Sequence, residues 1–362
     1  MANTTTASTL EYLLRRRLAS RVEMARHLNL SRAALTSVVN NLVADNLVKE
    51  SGTGDSTGGK PPVMLEINGQ AFTVAAIDIG STQLLRGMLC DASGKCIKAM
   101  ETPYSYDTLI DDVCRFALKL SENHNIAALC TALSGIVDSE RNIVIESANF
   151  PLAKSGIAKT LAELLKTPVI LGNRSRLAAE YEGIYGAACG VDNFLYISLG
   201  KSIGSALCMN GNIINGANGA TGEVRNFPCF YDGAHITLEN LLSEKMMLEK
   251  NNCSSFEELI LLWENGEENA VRYLNTIAQI FAFLCDFTDS PLLIPGGRFR
   301  RFGSRFQTLF KEHFDMHTSR EGRKREVVFS DAGEDAPLYG AAISAIRHTF
   351  NNLKTNRKDC KK

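Results

Sequence analysis

A chain of 362 residues, 45% hydrophobic and 22% charged, is too long for one core and has the composition of a globular protein of two or three domains. The net charge of −1 excludes a uniformly basic nucleic-acid binder, although residues 1–70 carry eight Lys/Arg against six Asp/Glu and the remainder leans acidic. No apolar run approaches the roughly 18 residues of a membrane span, and ten cysteines without a Cys-x-x-Cys pair suit free thiols in a reducing cytosol. The Thr/Ser-rich start, followed by Arg15-Arg16-Arg17, lacks the apolar segment of a secretory leader, so a cytoplasmic protein with no membrane partner is expected.

Three helical patterns open the chain. Leu10, Leu13, Leu14 and Leu18 form one stripe of a first helix. Ser20 predicts the cap of a short second helix carrying Val22, Ala25 and Leu28, and Ser31 that of a third helix with Leu35, Val38, Val39 and Leu42 inside. The third helix turns Ser31, Arg32, Ala33, Thr36, Ser37, Asn40 and Asn41 outward. Arginine can bond guanine or phosphate, asparagine suits adenine and small methyl groups suit thymine, which is what a recognition helix needs. Two short apolar segments follow, around Leu47-Val48 and Val63-Met64-Leu65, with a glycine-rich stretch between them. They predict a wing with Lys49 and Lys60 available to phosphates. A plain helical bundle with a polar face would share the three helical stripes; their order with the caps, tight turn and hairpin favours a winged helix-turn-helix over residues 1–70.

From Phe72 the pattern becomes strands alternating with helices. Val74 to Ile79 runs into a Gly80-Ser81-Thr82 turn. The strand Leu84–Cys90 ends at the hairpin signal Asp91-Ala92-Ser93-Gly94. Phe194–Gly200 and Ala206–Met209 form a second hairpin around small residues. Two such hairpins, each opening a βαβ-type half, predict an internal duplication. An acidic residue followed by Gly and Ser/Thr at a strand end, as at Asp78, suits Mg²⁺ and phosphate.

These segments bear a family resemblance over residues 1–345. Asp78-Ile79-Gly80-Ser81-Thr82, Ser134-Gly135-Ile136-Val137-Asp138, Glu146-Ser147-Ala148-Asn149, Leu199-Gly200-Lys201-Ser202-Ile203-Gly204, Gly222-Glu223, Pro295-Gly296-Gly297 and Tyr339-Gly340 resemble in order the motifs of the ROK family of repressors and sugar kinases. The resemblance implies an α/β fold of the actin-like, hexokinase-like ATPase type in two lobes behind the winged helix. The expected lobes are residues 71–178 with a C-terminal helix at about 340–353, and residues 179–339. It also implies a homodimer or homotetramer.

Departures from the family pattern carry more information than the matches. Family kinases place an Asn-Asp pair at the sugar, its Asp being the general base; here the pair is Asn173-Arg174. A guanidinium stays protonated and cannot accept the proton, so kinase activity is not expected. Lys201-Ser202 replaces Thr-Gly in the second phosphate loop, which leaves Asp78, Gly80, Thr82, Gly200, Lys201 and Gly204 as a vestigial phosphate site. The family zinc ligands are a His and three Cys. Asn226 stands at the His position and only Cys229 and His235 follow, too few for a closed four-ligand shell, so neither zinc nor another cofactor is expected. Asn149, Asn173, Glu223 and Glu239 match sugar contacts, while Arg174 and Asn226 alter the pocket. Arg174, aided by Arg176 or Arg225, would favour an anionic sugar derivative through a bidentate contact.

The expected function is a DNA-binding regulator of carbohydrate metabolism, a repressor first, with double-stranded operator DNA and a sugar-like effector as partners. The alternatives are an ATP-dependent sugar kinase and a ligand-independent DNA-binding scaffold. The basic tail (Lys354, Arg357, Lys358, Lys361, Lys362) reads as a solubilising end.

Overall fold

Serine caps decide where the second and third helices begin. The computed structural model describes residues 2–54, 61–80, 83–147, 152–318 and 324–353, so Lys60, Thr82, Asn149 and the basic tail lie outside the described residues. Helix α1 (Ala2–Arg16) buries Leu10, Leu13 and Leu14. Strand β1 (Ala19–Ser20) leads into α2 (Arg21–His27), where the Ser20 hydroxyl accepts from the Glu23 amide at 3.3 Å and Glu23 Oε2 accepts from the Ser20 amide at 2.7 Å. This is a complete capping box. After a turn through Asn29, whose φ is +52°, Ser31 caps α3 (Arg32–Ala44) by accepting from the Ala34 amide at 3.1 Å. Strands β2 (Val48–Thr53) and β3 (Val63–Ile67) complete a sheet ordered β1-β3-β2. Helix, strand, two helices and a hairpin follow one another in the order expected of a winged helix-turn-helix.

Two expected core positions are corrected. Leu18 is exposed because α1 stops at Arg16 and Arg17 takes a left-handed φ of +65°, which turns the chain off the stripe. Val22 is also exposed; α2 buries Met24 and Ala25 instead, since so short a helix presents only one narrow edge to its neighbours.

The chain then forms β4 (Thr73–Ile79), β5 (Leu84–Asp91), β6 (Cys96–Pro103), α4 (Leu109–Ser121), β7 (Ile126–Leu133), β8 (Ile136–Asp138), β9 (Ile143–Glu146), α5 (Ile157–Leu165) and β10 (Val169–Asn173). Five of these strands make a sheet ordered β10-β7-β4-β5-β6. Next come α6 (Arg174–Ile184), β11 (Phe194–Leu199), β12 (Gly204–Met209), β13 (Asn212–Ile213), the hairpin β14 (Pro228–Tyr231) and β15 (Ala234–Thr237), and helices α7 (Leu238–Leu242), α8 (Glu244–Lys250), α9 (Phe256–Glu264) and α10 (Glu268–Phe287). The chain continues with β16 (Leu292–Gly297), α11 (Gly303–Thr318), β17 (Glu326–Val327) and α12 (Ala336–Asn351). A second five-stranded sheet is ordered β13-β12-β11-β16-β17.

The two sheets share one topology. In each, the first strand pairs antiparallel with the second and parallel with the fourth, and the second pairs antiparallel with the third. The duplication read from the two hairpins is therefore present strand for strand.

Two compact units result. One comprises Met1–Leu133, Asn142–Leu171 and Ala341–Lys362; the other comprises Ser134–Arg141 and Gly172–Gly340. The winged segment thus shares a unit with the first sheet, and the main segment of the second unit, preceded by Ser134–Arg141, starts at Gly172 and not near residue 179. One reason is a partly buried ion pair in the first unit: Arg347 of α12 grips both carboxylate oxygens of Glu11 on α1, with Nε donating to Oε2 at 2.8 Å. The Arg17 guanidinium adds a 3.3 Å bond to the Ser93 carbonyl, and Phe72 meets Phe350 edge to face. In the second unit the core is aromatic: Phe281, Phe299, Phe302, Phe306, Phe310 and Phe314 pack with Trp263.

Burial pushes the Glu11 carboxyl up, but hydrogen bonds and charge from Arg347, with Arg15 behind, outweigh it and hold the group below its ordinary 4.5. A carboxylate held low contributes stability that is complete above the unfolded pKa and disappears as pH falls through the folded one. Glu11→Gln should therefore lower the melting temperature at neutral pH, and the difference from the parent should shrink as pH falls below the ordinary 4.5, as thermal melts across pH would record.

Candidate functional site

The outward face of α3 carries the residues expected of it. Arg32, Thr36, Ser37, Asn40 and Asn41 are all exposed on α3 while Leu35, Val39 and Leu42 are buried beneath them. No acidic residue interrupts residues 31–44. The Thr36 hydroxyl donates to the Arg32 carbonyl at 2.7 Å, which occupies its hydrogen.

Lys49 departs from expectation. It pairs with Glu66 across the β2–β3 ladder at 3.1 Å. It also lines a cleft of about 760 Å³ within the first unit, together with Leu13, Leu14, Arg17, Glu66 and Asp91. Register explains the pairing, because Lys49 and Glu66 are direct antiparallel partners. None of the expected effector residues lines this cleft.

Asp78 is fully buried and is answered by its direct cross-strand neighbour Arg86, whose Nη2 donates to Oδ2 at 2.7 Å. Gly80 is buried and its carbonyl accepts the Tyr104 hydroxyl at 2.8 Å. The acidic group of the first phosphate motif thus serves an internal ion pair.

The described effector candidates lie in the second unit. Asn173 uses both ends of its amide: Oδ1 accepts from the Arg176 amide at 3.1 Å, capping α6, and Nδ2 donates to the Gly135 carbonyl at 2.8 Å. One turn on, buried Arg176 donates to the carbonyls of Val137, Gly219 and Thr221. Gly219 must be glycine here, since its φ is +67° and a Cβ would stand 2.6 Å from the Val137 oxygen. Desolvation pulls the Arg176 guanidinium below its ordinary pKa, and the nearby Glu223 charge partly restores it. Sequence pattern offered Arg176 as a second ligand-facing cation; the structure makes it a clamp between two backbone segments.

Arg174 is half-buried at the start of α6, and its charge acts on the Tyr196 hydroxyl, which burial pushes far up. Glu223 and Asn226 are exposed. Glu239 turns towards the second phosphate loop, where Oε2 accepts from the Ser202 hydroxyl at 2.8 Å and from the Ile203 amide at 3.0 Å. Its own amide donates to the Arg225 carbonyl at 3.0 Å. In that loop Lys201 is exposed and Gly200 accepts from the Glu244 amide. A Cβ on Gly204 would meet the Ser175 hydroxyl at 2.2 Å, so this glycine lets the loop lie against α6.

The residues standing at the family zinc position do not fit the ion. Asn226 supplies no thiolate or imidazole. Cys229 is buried, its Sγ donates to the Phe227 carbonyl, and burial pushes its thiol up to about 11. His235 pairs with Phe230, one residue along from Cys229, so the two side chains take opposite faces of the hairpin. Among the described residues no group of three or more His, Cys, Asp or Glu side chains could hold a metal.

A winged helix joined to a duplicated α/β fold of the sugar-kinase type is the class that these elements define. The sequence profile of the ROK family matches residues 74–348, and the chain belongs to that family. It is 24% identical to a protein named Xylose repressor from Bacillus subtilis (strain 168) over 95% of each chain. Its fold matches a crystal structure described as a ROK family transcriptional regulator, a homolog of the E. coli MLC protein. That match has a TM-score of 0.79 and 16% identity and covers 97% of this chain and 96% of the other. A ROK family glucokinase from Streptomyces griseus, crystallised with glucose and AMPPNP, matches with a TM-score of 0.64 and 19% identity over 99% of its own length but 75% of this chain.

Arg176→Met would remove the donors to three carbonyls and leave a residue of similar length. We expect a loss of about 2–4 kcal/mol of stability, read as a lower urea midpoint, together with faster proteolysis around residues 216–222.

Proposed function

We propose that the chain is a transcriptional repressor of sugar metabolism: α3 reads operator DNA, and a kinase-derived fold senses a sugar-like effector. The carrying observation is the exposed, acid-free face of Arg32, Thr36, Ser37, Asn40 and Asn41 on a capped helix. Likeness to a protein named Xylose repressor along almost the whole chain supports the same reading. Lys60 and Ser31 would add phosphate contacts beside the groove. Arg174 at the position of the family's base argues against phosphotransfer, and so does the engagement of Asp78 by Arg86. The partners are then a double-stranded operator and a sugar derivative, with a homodimer or homotetramer setting two recognition helices on half-sites a helical turn apart, roughly 34 Å.

The effector reading rests on Arg174 together with Asn149, Asn173, Glu223, Asn226 and Glu239. Of these, Asn173 and Glu239 make the internal bonds described above, so effector contacts from them would require those bonds to be exchanged. A guanidinium among these groups favours a sugar phosphate or sugar acid over a neutral hexose.

Selection of bound DNA from a random pool, followed by titration of the winning site, tests the first part. Asn40→Ala and Asn41→Ala should each weaken operator binding about tenfold, as expected for loss of a base contact, without changing the fold. Unchanged affinity in both variants would sink the assignment of α3. A thermal-shift panel tests the second part: anionic sugars should raise the melting temperature of the parent but not of Arg174→Ala, and stabilisation by neutral sugars alone would overturn the anionic reading. A coupled ADP-release assay over the same panel should show no turnover.

A further inference from the structure

Helices α10 and α11 pack along the second unit, and three polar side chains meet at their contact. His313 and His317 stand four residues apart on α11, a spacing that puts both imidazoles on one helix face. Asn275 faces them from α10. His313 Nδ1 lies 3.1 Å from Asn275 Oδ1 and His317 Nε2 lies 3.0 Å from the same oxygen. All three side chains are half-buried, accessible to a small ion.

We propose that His313, His317 and Asn275 form a binding site for a late first-row divalent transition-metal ion (Ni²⁺, Cu²⁺ or Zn²⁺), with water completing the shell. The family zinc position is far along the sequence and contributes none of these residues.

The geometry carries the proposal. Two imidazole nitrogens and an amide oxygen are ligands that such ions accept, and a His pair at i and i+4 on one helix is a recurrent way of presenting them. With metal–ligand bonds of about 2.0–2.1 Å, neighbouring ligands sit roughly 3.3–3.4 Å apart around a tetrahedral ion and about 3 Å apart around an octahedral one. Both edges that meet at Asn275, 3.0 and 3.1 Å, are close to these separations. A carbonyl oxygen only accepts, so without metal each ring must turn an N–H towards Asn275; with the ion bound, each ring would carry its proton on the other nitrogen, leaving the lone pairs of His313 Nδ1 and His317 Nε2 for the metal. The supports are rigid, since Phe310 and Phe314 on α11 and Leu274 and Ile277 on α10 are buried in the aromatic core.

Isothermal titration of the full chain with Ni²⁺ is the test. Gln replaces His in the variants because its amide still donates to Asn275, so the helix contact is retained. The parent should bind one more Ni²⁺ per chain than His313→Gln/His317→Gln, and each single variant should weaken that site by at least about tenfold. Asn275→Asp supplies a charged ligand and should tighten the same site about tenfold or more; it keeps the proposal testable if the double variant does not fold. Ni²⁺ should raise the melting temperature of the parent and not that of the double variant. Identical isotherms for the parent and both His variants, or no tightening in Asn275→Asp, would mean that the three side chains form only a pair of hydrogen bonds.

Discussion

The Arg176 guanidinium organises the polar half of the second unit. It is buried, and the carbonyls of Val137, Gly219 and Thr221 surround it. A charge in that position is tolerable only while those oxygens stay aimed at it. The segments carrying them therefore cannot move independently of α6. Asn173 reinforces the constraint from the helix cap by binding Gly135 on one of the same segments. The start of α6 is thus fastened to the segments at residues 135–137 and 219–221 by side-chain bonds to backbone carbonyls, which survive most substitutions in those segments.

The same economy runs through the old phosphate machinery. In this chain Asp78 answers Arg86, Glu239 answers Ser202 and the Ile203 amide, and Gly80 answers Tyr104. Groups of the segments that resemble the family motifs thus bond to their own fold. Only Lys201 remains exposed among the described members of that set.

Local chemistry was legible in the residues. Ser20 with Glu23, and Ser31 alone, announce helix starts because a cap needs only neighbours within one turn. The two hairpins announce a duplication because alternating apolar strands around small-residue turns have few other solutions. What could not be read depends on register or on distant chain. Arg86 opposes Asp78 only because the intervening turn has one particular length, and Lys49 meets Glu66 for the same reason. Glu239 reaches Ser202 across 37 residues, a separation that no periodicity records. Leu18 was misplaced because the left-handed Arg17 ends the helix with no glycine or proline to warn of it. The tie between α1 and α12 rests on Glu11 and Arg347, which nothing local connects.

That last pair has a consequence for the order of assembly. Its partners are separated by 336 residues. A ribosome working at about 5–20 residues per second needs tens of seconds to supply the second partner after the first. During that interval the helices of the winged segment can form, since their caps are local, and the Arg17 bond to Ser93 can follow once 76 further residues are made, but the clasp between Glu11 and Arg347 does not yet exist. It closes only after both sheets have been synthesised, so the first unit gains its last tie when the chain is almost complete.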